Sequence, residues 1–273
     1  MMANFSLKGK AAVLTGAAGF FGGYFARALL EYGIETLLLI DHKKDRLFDL
    51  RSDLKKDFPK TIILSYSLNQ YEHNQVAKLV GLLHPYEFNI LINNAFDFSE
   101  RTGFNNKESG CLQNSTFEQF SSCMESGVYW AWQMTQIFGF PMKRREGGSI
   151  INICSMYGLV VPDPRLYDDT EVFNPPGYSV AKAALLQFTR RSAVDLGPEV
   201  RVNAISPGAI PNLESKTNNP PNQIVLDRLK EKIILQRMGH PTDLTGALIF
   251  LASDASKYMT GQNIVVDGGF TIT

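Results

Sequence analysis

Along the chain, short apolar runs rich in branched side chains alternate with longer stretches whose apolar residues recur at helical spacing. This alternation limits the fold more than any other feature. Repeated βαβ units force successive strands parallel and lay helices over both faces of one sheet. Strands are expected at 11–15, 36–40, 61–65, 90–93, 149–154, 201–205 and 263–266, each nearly continuous in apolar residues, as strands covered on both faces should be. Helices are expected at 22–32, 45–56, 74–83, 115–138, 176–196 and 242–251. No repeat, low-complexity tract or Pro/Gly linker divides the sequence. The expectation is therefore a single doubly wound α/β domain over residues 1–273, with a parallel seven-stranded sheet. Two irregular stretches, 97–114 and 209–221, are long enough to contact a ligand or cover one, the second more so because it follows a strand end directly.

Composition removes several classes of function. With 44% hydrophobic residues the chain can bury a substantial core. Lys+Arg and Asp+Glu are both 27, so there is no net field to hold a nucleic-acid backbone or an anionic membrane. No apolar run reaches the roughly 18 residues that suggest a membrane span. Cys111, Cys123 and Cys154 form no CxxC pair and have no histidine companions at zinc-ligand spacing, so neither a metal site nor a disulfide framework is expected. The opening MMANFSLKGK lacks the apolar core of an export signal, which points to a reduced, cytoplasmic protein.

The first expected strand runs into Thr15-Gly16-Ala17-Ala18-Gly19-Phe20-Phe21-Gly22 and then a helical stretch. A diphosphate is stabilised at such a place, because free N–H groups and the positive end of the helix dipole face it and glycines let the backbone come close. Asp41 follows the second strand, 25 residues after Gly16, where a dinucleotide fold places the carboxylate that accepts the adenosine ribose hydroxyls. A carboxylate there repels a 2′-phosphate, which favours NAD over NADP. Lys43 and Lys44 just beyond it keep NADP as the alternative.

Tyr178 and Lys182 are four residues apart, so on a helix they share one face. A cation beside a tyrosine favours the phenolate and lowers its pKa toward neutral pH. Ser155 ends the apolar SIINICS run and should present its hydroxyl at the carboxyl edge of the sheet.

Taken together, TGAAGFFG, Asn93-Asn94-Ala95, Ser155, Tyr178-xxx-Lys182, RVNAISPG (201–208) and FLASDASKYMTGQNIVVDGG (250–269) resemble the short-chain dehydrogenase/reductase family over nearly the whole chain. The resemblance implies a Rossmann fold and hydride transfer between a nicotinamide coenzyme and an alcohol or carbonyl substrate. Ser155 would hydrogen-bond the substrate oxygen and Tyr178 would give or take its proton. Lys182 would hold the nicotinamide ribose and lower the tyrosine pKa. Cofactor contacts would come from Gly16, Gly19, Phe21, Gly22, Asp41, Asn93, Ala95, Pro207, Gly208 and Ile210 as well as Tyr178 and Lys182, Asn93 either touching cofactor or bracing the sheet. A homotetramer or homodimer is implied, formed through 115–138, 176–196 and the last strand.

Several positions depart from the family pattern. The glycines are spaced TGxxGxxG, as in the family's sugar-nucleotide epimerases and dehydratases. Phe96 stands where a glycine usually completes NNAG, and it could narrow the pocket, stack on substrate or simply fill space. Met124 replaces the asparagine expected three residues before Gly127 and cannot anchor a water through an amide; Ser121, Ser122 or Glu125 could substitute. The 22 residues between Ser155 and Tyr178 form a long insertion bearing Tyr157, Asp163, Arg165, Tyr167, Asp168, Asp169 and Glu171. Its polarity suggests a hydroxyl-rich or charged substrate, with Tyr157, Phe96 and Arg165 as contacts and Arg165 binding an anionic group. SMYG and PPGYSVAK around it are similar to dehydrogenases of bacterial flagellin-glycosylation and nonulosonic (legionaminic-type) sugar clusters, which would place the enzyme in carbohydrate biosynthesis. The alternatives are a sugar-nucleotide epimerase or dehydratase, and a non-catalytic NAD(H)-binding module. Replacing Asp41→Ala should weaken NADH binding relative to NADPH in calorimetry; an unchanged preference would remove the basis for choosing NAD.

Overall fold

Residues 4–82, 86–104, 111–145, 147–171, 173–213 and 222–273 are described by a computed structural model of the chain. Its centre is one parallel sheet of seven strands: β1 (Ala11–Thr15), β2 (Thr36–Asp41), β3 (Ile62–Ser67), β4 (Ile90–Asn93), β5 (Gly148–Ile153), β6 (Val200–Pro207) and β7 (Asn263–Val266). They lie in the order β3-β2-β1-β4-β5-β6-β7. The direction of winding reverses between β1 and β4, so their connections leave toward opposite faces and open a crevice at the carboxyl edge.

Helices α1 (Phe20–Glu31), α2 (Lys44–Asp57) and α8 (Thr242–Ala252) cover one face, and α3 (His73–Leu82), α5 (Trp130–Lys143) and α6 (Pro176–Leu196) cover the other. Period two in the strands sorts the side chains between the layers. Leu14, Leu37, Leu39, Ile92 and Ile151 pack on the first face with Phe25, Leu29 and Leu248, whereas Val13, Leu38, Ile40, Leu91 and Ile150 pack on the second with Met134 and Phe138. Both sets are nearly dry, which is why these strands read as continuous apolar runs. No described helix is long and apolar enough to cross a membrane.

The structure differs from the sequence expectations where an apolar criterion is blind. Strand β3 runs on through polar Tyr66 and Ser67, because at the sheet edge alternate residues face water. The single helix expected at 115–138 is α4 (Phe117–Met124), a π-helical turn over Glu125–Tyr129, and then α5, which continues past Phe138 to Lys143. Helix α7 (Gln223–Lys232) was not anticipated: among its residues only Val225 is fully buried, and its start is set by Asn222, whose side chain accepts from the Ile224 and Val225 amides. Part of each irregular stretch, 105–110 and 214–221, lies outside the described residues. The described start of the first is folded, with a 3-10 turn at Glu100–Thr102 and Thr102 Oγ1 donating to the Asp97 carbonyl at 2.8 Å.

Polar side chains tie the central strands together in the core. Asn93 Nδ2 donates to Asn152 Oδ1 (2.8 Å), Asn152 Nδ2 donates to Thr189 Oγ1 on α6 (2.9 Å), and Thr189 donates on to the Leu185 carbonyl (2.8 Å). Asn152 is fully buried, so removing it strands a donor on Asn93 with no water to replace the partner. Asn152→Ala is expected to cost about 2–4 kcal/mol of stability, read as a lower urea midpoint at unchanged m value.

Candidate active site

The glycine turn takes its shape from close contacts. Gly16 sits at φ +64°, and a Cβ there would lie 2.9 Å from Ala95 Cα. At Gly22 a Cβ would come within 2.4 Å of the Gly16 and Ala17 carbonyl oxygens, so only glycine lets α1 start this close to β1. Gly19 caps α1 without a side-chain hydrogen bond, leaving the first-turn amides open to an anion. Phe21 packs against Phe25 (5.9 Å between ring centres) and borders the cavity described below.

Asp41, at the end of β2, is almost buried. Its Oδ2 accepts from the Ala18 amide (3.0 Å) and its Oδ1 from the Lys43 amide (2.9 Å), with His42 Nδ1 at 3.4 Å. The carboxylate thus braces the glycine turn as well as facing the cavity. Asn94, which the sequence reading passed over, does similar work: its Nδ2 donates to the carbonyls of Thr15 (3.1 Å) and Gly16 (3.0 Å), while Thr15 Oγ1 accepts from the amides of Asn94 and Ala95. Its signal in the sequence was the doubled asparagine at a strand end. Of the two roles implied for Asn93, its amide nitrogen serves the brace to Asn152.

From the glycine turn a cavity of about 700 Å³ runs past Asp41, Asn94 and Ala95 to Ile153, Cys154, Tyr178 and Lys182. That size suits a small-molecule ligand. Its wall also includes Tyr71, Arg101 and Trp130, which no motif marked. The Tyr71 hydroxyl donates to Asp97 Oδ2 at 2.8 Å, and the Arg101 guanidinium lies 4.4 Å from the Tyr71 ring centre. Ile210 borders both this cavity and a smaller one of about 180 Å³, which Gly208 lines. Pro207 is buried at the end of β6, and Gly208 donates its amide to the Val266 carbonyl (2.9 Å).

At the inner end, Tyr178 and Lys182 stand one turn apart on α6, both nearly buried, against the end of β5. Ser155 caps a 3-10 turn, its Oγ accepting from the Tyr157 amide at 3.1 Å, and it is the neighbour that pulls the Tyr178 titration down. Lys182 Nζ donates to the Ile153 carbonyl at 2.9 Å. Burial governs both titrations: it pushes Tyr178 up to about 12, against the pull of Ser155, and Lys182 down to about 8. Desolvation is the largest influence on Tyr178 and Ser155 the one that opposes it.

The insertion also differs from expectation. Asp163 is committed to basic partners and does not line the cavity. Asp163 holds Arg165 (2.9 Å) and Lys232 of α7 (2.8 Å), and Arg228 of α7 donates to the Leu166 and Asp168 carbonyls, so these charges fasten the insertion to α7. The Arg165 side chain is 84% exposed and paired with Asp163, which places it away from a substrate anion in the cavity. Toward Tyr178 the insertion presents Met156, Tyr157, Leu166 and Tyr167, clustered with Phe96, Phe104, Ile233 and Phe270. The Tyr157 and Tyr167 hydroxyls are 3.2 Å apart. Met124 ends α4 where the π-helical turn begins, and Ser126 in that turn donates to the Ser122 carbonyl at 2.8 Å.

Residues 16–271 match the family model described as Enoyl-(Acyl carrier protein) reductase. The chain is similar to a protein described as NAD-dependent glycerol dehydrogenase from Listeria innocua, 29% identical over 98% of this chain and 96% of that one. It is similar to an NADP-dependent mannitol dehydrogenase from Hypocrea jecorina, 28% identical over 98% and 94%. Its fold matches the crystal structure of a short-chain type dehydrogenase/reductase from Mycobacterium marinum, with a TM-score of 0.83, 28% identity and full coverage of both chains. A glycine turn at a helix start, a seven-stranded parallel sheet and these end-to-end matches agree: the chain belongs to the short-chain dehydrogenase/reductase family and is an NAD(P)-dependent oxidoreductase.

Proposed function

We propose that this enzyme interconverts a secondary alcohol and its ketone on a polyol or sugar, with NAD as coenzyme and Ser155, Tyr178 and Lys182 as the catalytic residues. The observation that carries the reading is one cavity with an anion-ready glycine turn at one end and Tyr178 and Lys182 at the other, Ser155 following directly on Cys154 of the cavity wall. In oxidation, Tyr178 Oη takes the proton of the substrate hydroxyl; in reduction it returns one to the carbonyl oxygen. Ser155 lies near enough to Tyr178 to pull its titration down, so a substrate oxygen at this end of the cavity could be held by the Ser155 hydroxyl while Tyr178 exchanges its proton. Lys182 Nζ stands 5.8 Å from the centre of the Tyr178 ring, and its charge favours the phenolate against the burial that disfavours it. Lys182 would also hold the nicotinamide ribose, and bound nicotinamide would supply or take up the hydride. The residues present suit that group: Gly16 and Gly19 line the cavity at the turn, and the first turn of α1 has no side-chain cap.

For NAD over NADP, the support is the Asp41 carboxylate in the cavity wall, whose charge disfavours a 2′-phosphate. For the substrate class, it is the glycerol and mannitol in the names of two relatives, together with the Tyr157 and Tyr167 hydroxyls near Tyr178. The narrower resemblance to dehydrogenases of nonulosonic sugar clusters adds activated sugars to the candidates. Apolar side chains exposed on α4, α5 and α6, among them Phe117, Trp132, Phe140 and Val180, support a homo-oligomer formed through those helices.

The test follows reduced-nicotinamide absorbance with glycerol, mannitol, other sugars and activated sugars, using each coenzyme in turn. Turnover with NAD on one of them is the expected result. Tyr178→Phe should then lower kcat by about 10²–10⁴-fold and leave NADH affinity nearly unchanged in calorimetry. Full turnover by that variant would overturn the acid/base role.

A further inference from the structure

Lys182 is 4% exposed, and among the described residues its Nζ makes one hydrogen bond, to the Ile153 carbonyl at 2.9 Å. A buried ammonium needs more than one acceptor to offset lost hydration. The additional partner is an aromatic face: Lys182 Nζ lies 5.0 Å from the centre of the Phe96 ring, inside the roughly 6 Å range of a cation–π contact. The same ring meets Tyr178 edge-on, with centres 5.1 Å apart at 85°.

The ring is held where it can do this. Phe98 (4.8 Å) and Phe104 (6.2 Å) pack against it. On its other side, Gly127 in the π-helical turn leaves the space open: a Cβ at Gly127 would lie 3.3 Å from Phe96 Cε2 and 2.7 Å from Ala181 Cβ. A small residue at one position and a large one at the other thus form a matched pair across the helix contact.

We propose that Phe96 is a positioning residue, whose ring face keeps the Lys182 ammonium charged and in place beside Tyr178. The Tyr178 ring, with its centre 5.8 Å from Nζ, is the more distant of two ring faces, and the titratable groups around Lys182 leave that task to the nearer Phe96 ring at 5.0 Å. Cys154 at the end of β5 is pushed by burial up to about 12 and is neutral in the working range. Asp97, next to Phe96, turns its carboxylate to the Tyr71 hydroxyl and the Ser99 amide. Glu125 in the π-helical turn faces His73 at 3.5 Å. Tyr157, in the turn after β5, points its hydroxyl to Tyr167, and Tyr178 is itself pushed up by burial. Removing the ring face should therefore destabilise the charged form of Lys182 and move its titration to lower pH.

The inference rests on the proposed mechanism only for its effect on turnover, and it can be tested without substrate or coenzyme. The full-length protein labelled with [ε-13C]lysine is titrated by NMR, with the Lys182 signal assigned by its loss in Lys182→Met. In the wild type the midpoint should lie near about 8, where burial places it. Phe96→Leu should lower it by about one pH unit, and Phe96→Trp should leave it in place. Pentafluorophenylalanine at position 96 keeps the shape and reverses the ring quadrupole, so it should lower the midpoint as leucine does, even where leucine disturbs folding. A midpoint unchanged by pentafluorophenylalanine would overturn the proposal, whatever the coenzyme and sugar assays find.

Discussion

The site depends first on how β1, β4 and β5 are held side by side at their carboxyl ends. Thr15 receives the amides of Asn94 and Ala95, Asn94 reaches back to the Thr15 and Gly16 carbonyls, and Asn93 is joined through Asn152 to Thr189 on α6. One set of buried hydrogen bonds thereby links the glycine turn, the cavity floor and the helix that carries Tyr178 and Lys182. Buried hydrogen bonds of this kind cost little when complete and a great deal when one member is lost, which makes their geometry stiff. Asp41 extends the same frame to β2 by accepting from the Ala18 amide.

Within that frame, the reactive end of the cavity is drier than its residue types suggest. Tyr178 and Lys182 are surrounded by aromatic and aliphatic side chains, and burial disfavours the charged form of each. An environment that raises a tyrosine to about 12 and lowers a lysine to about 8 moves their titrations apart, so near neutral pH the tyrosine holds its proton while the lysine lies close to its midpoint, where local contacts have leverage over its charge. Ser155 acts on Tyr178 and the Phe96 ring face on Lys182 in that way.

Much of the fold was legible from the chain because strands buried on both faces must be apolar throughout; the bounds of β1, β4, β7 and α6 agree with the sequence reading. The elements missed or misjudged share a different physics. Helix α7 buries little of itself and is held by Asn222, Lys232 and Arg228, so its sequence resembles a solvated loop. The π-helical turn leaves no periodic mark strong enough to break a helical stretch. In the insertion, polarity was read as facing the substrate, yet Asp163, Lys232 and Arg228 spend their charges on each other and on backbone carbonyls while the aromatics turn inward.

The sequence by itself determined the doubly wound sheet, the glycine turn followed by Asp41 at a strand end, and the placement of Tyr178 and Lys182 one turn apart on a helix, because each rests on local spacing: period two, a strand-to-helix turn, one helical turn. Only the tertiary structure decided that Phe96 faces Lys182, that Arg165 faces solvent, that Asn94 serves the glycine turn and that burial is the largest influence on Tyr178. Those outcomes depend on which distant segments share one volume and on how much water remains between them, and neither can be read from neighbours along the chain.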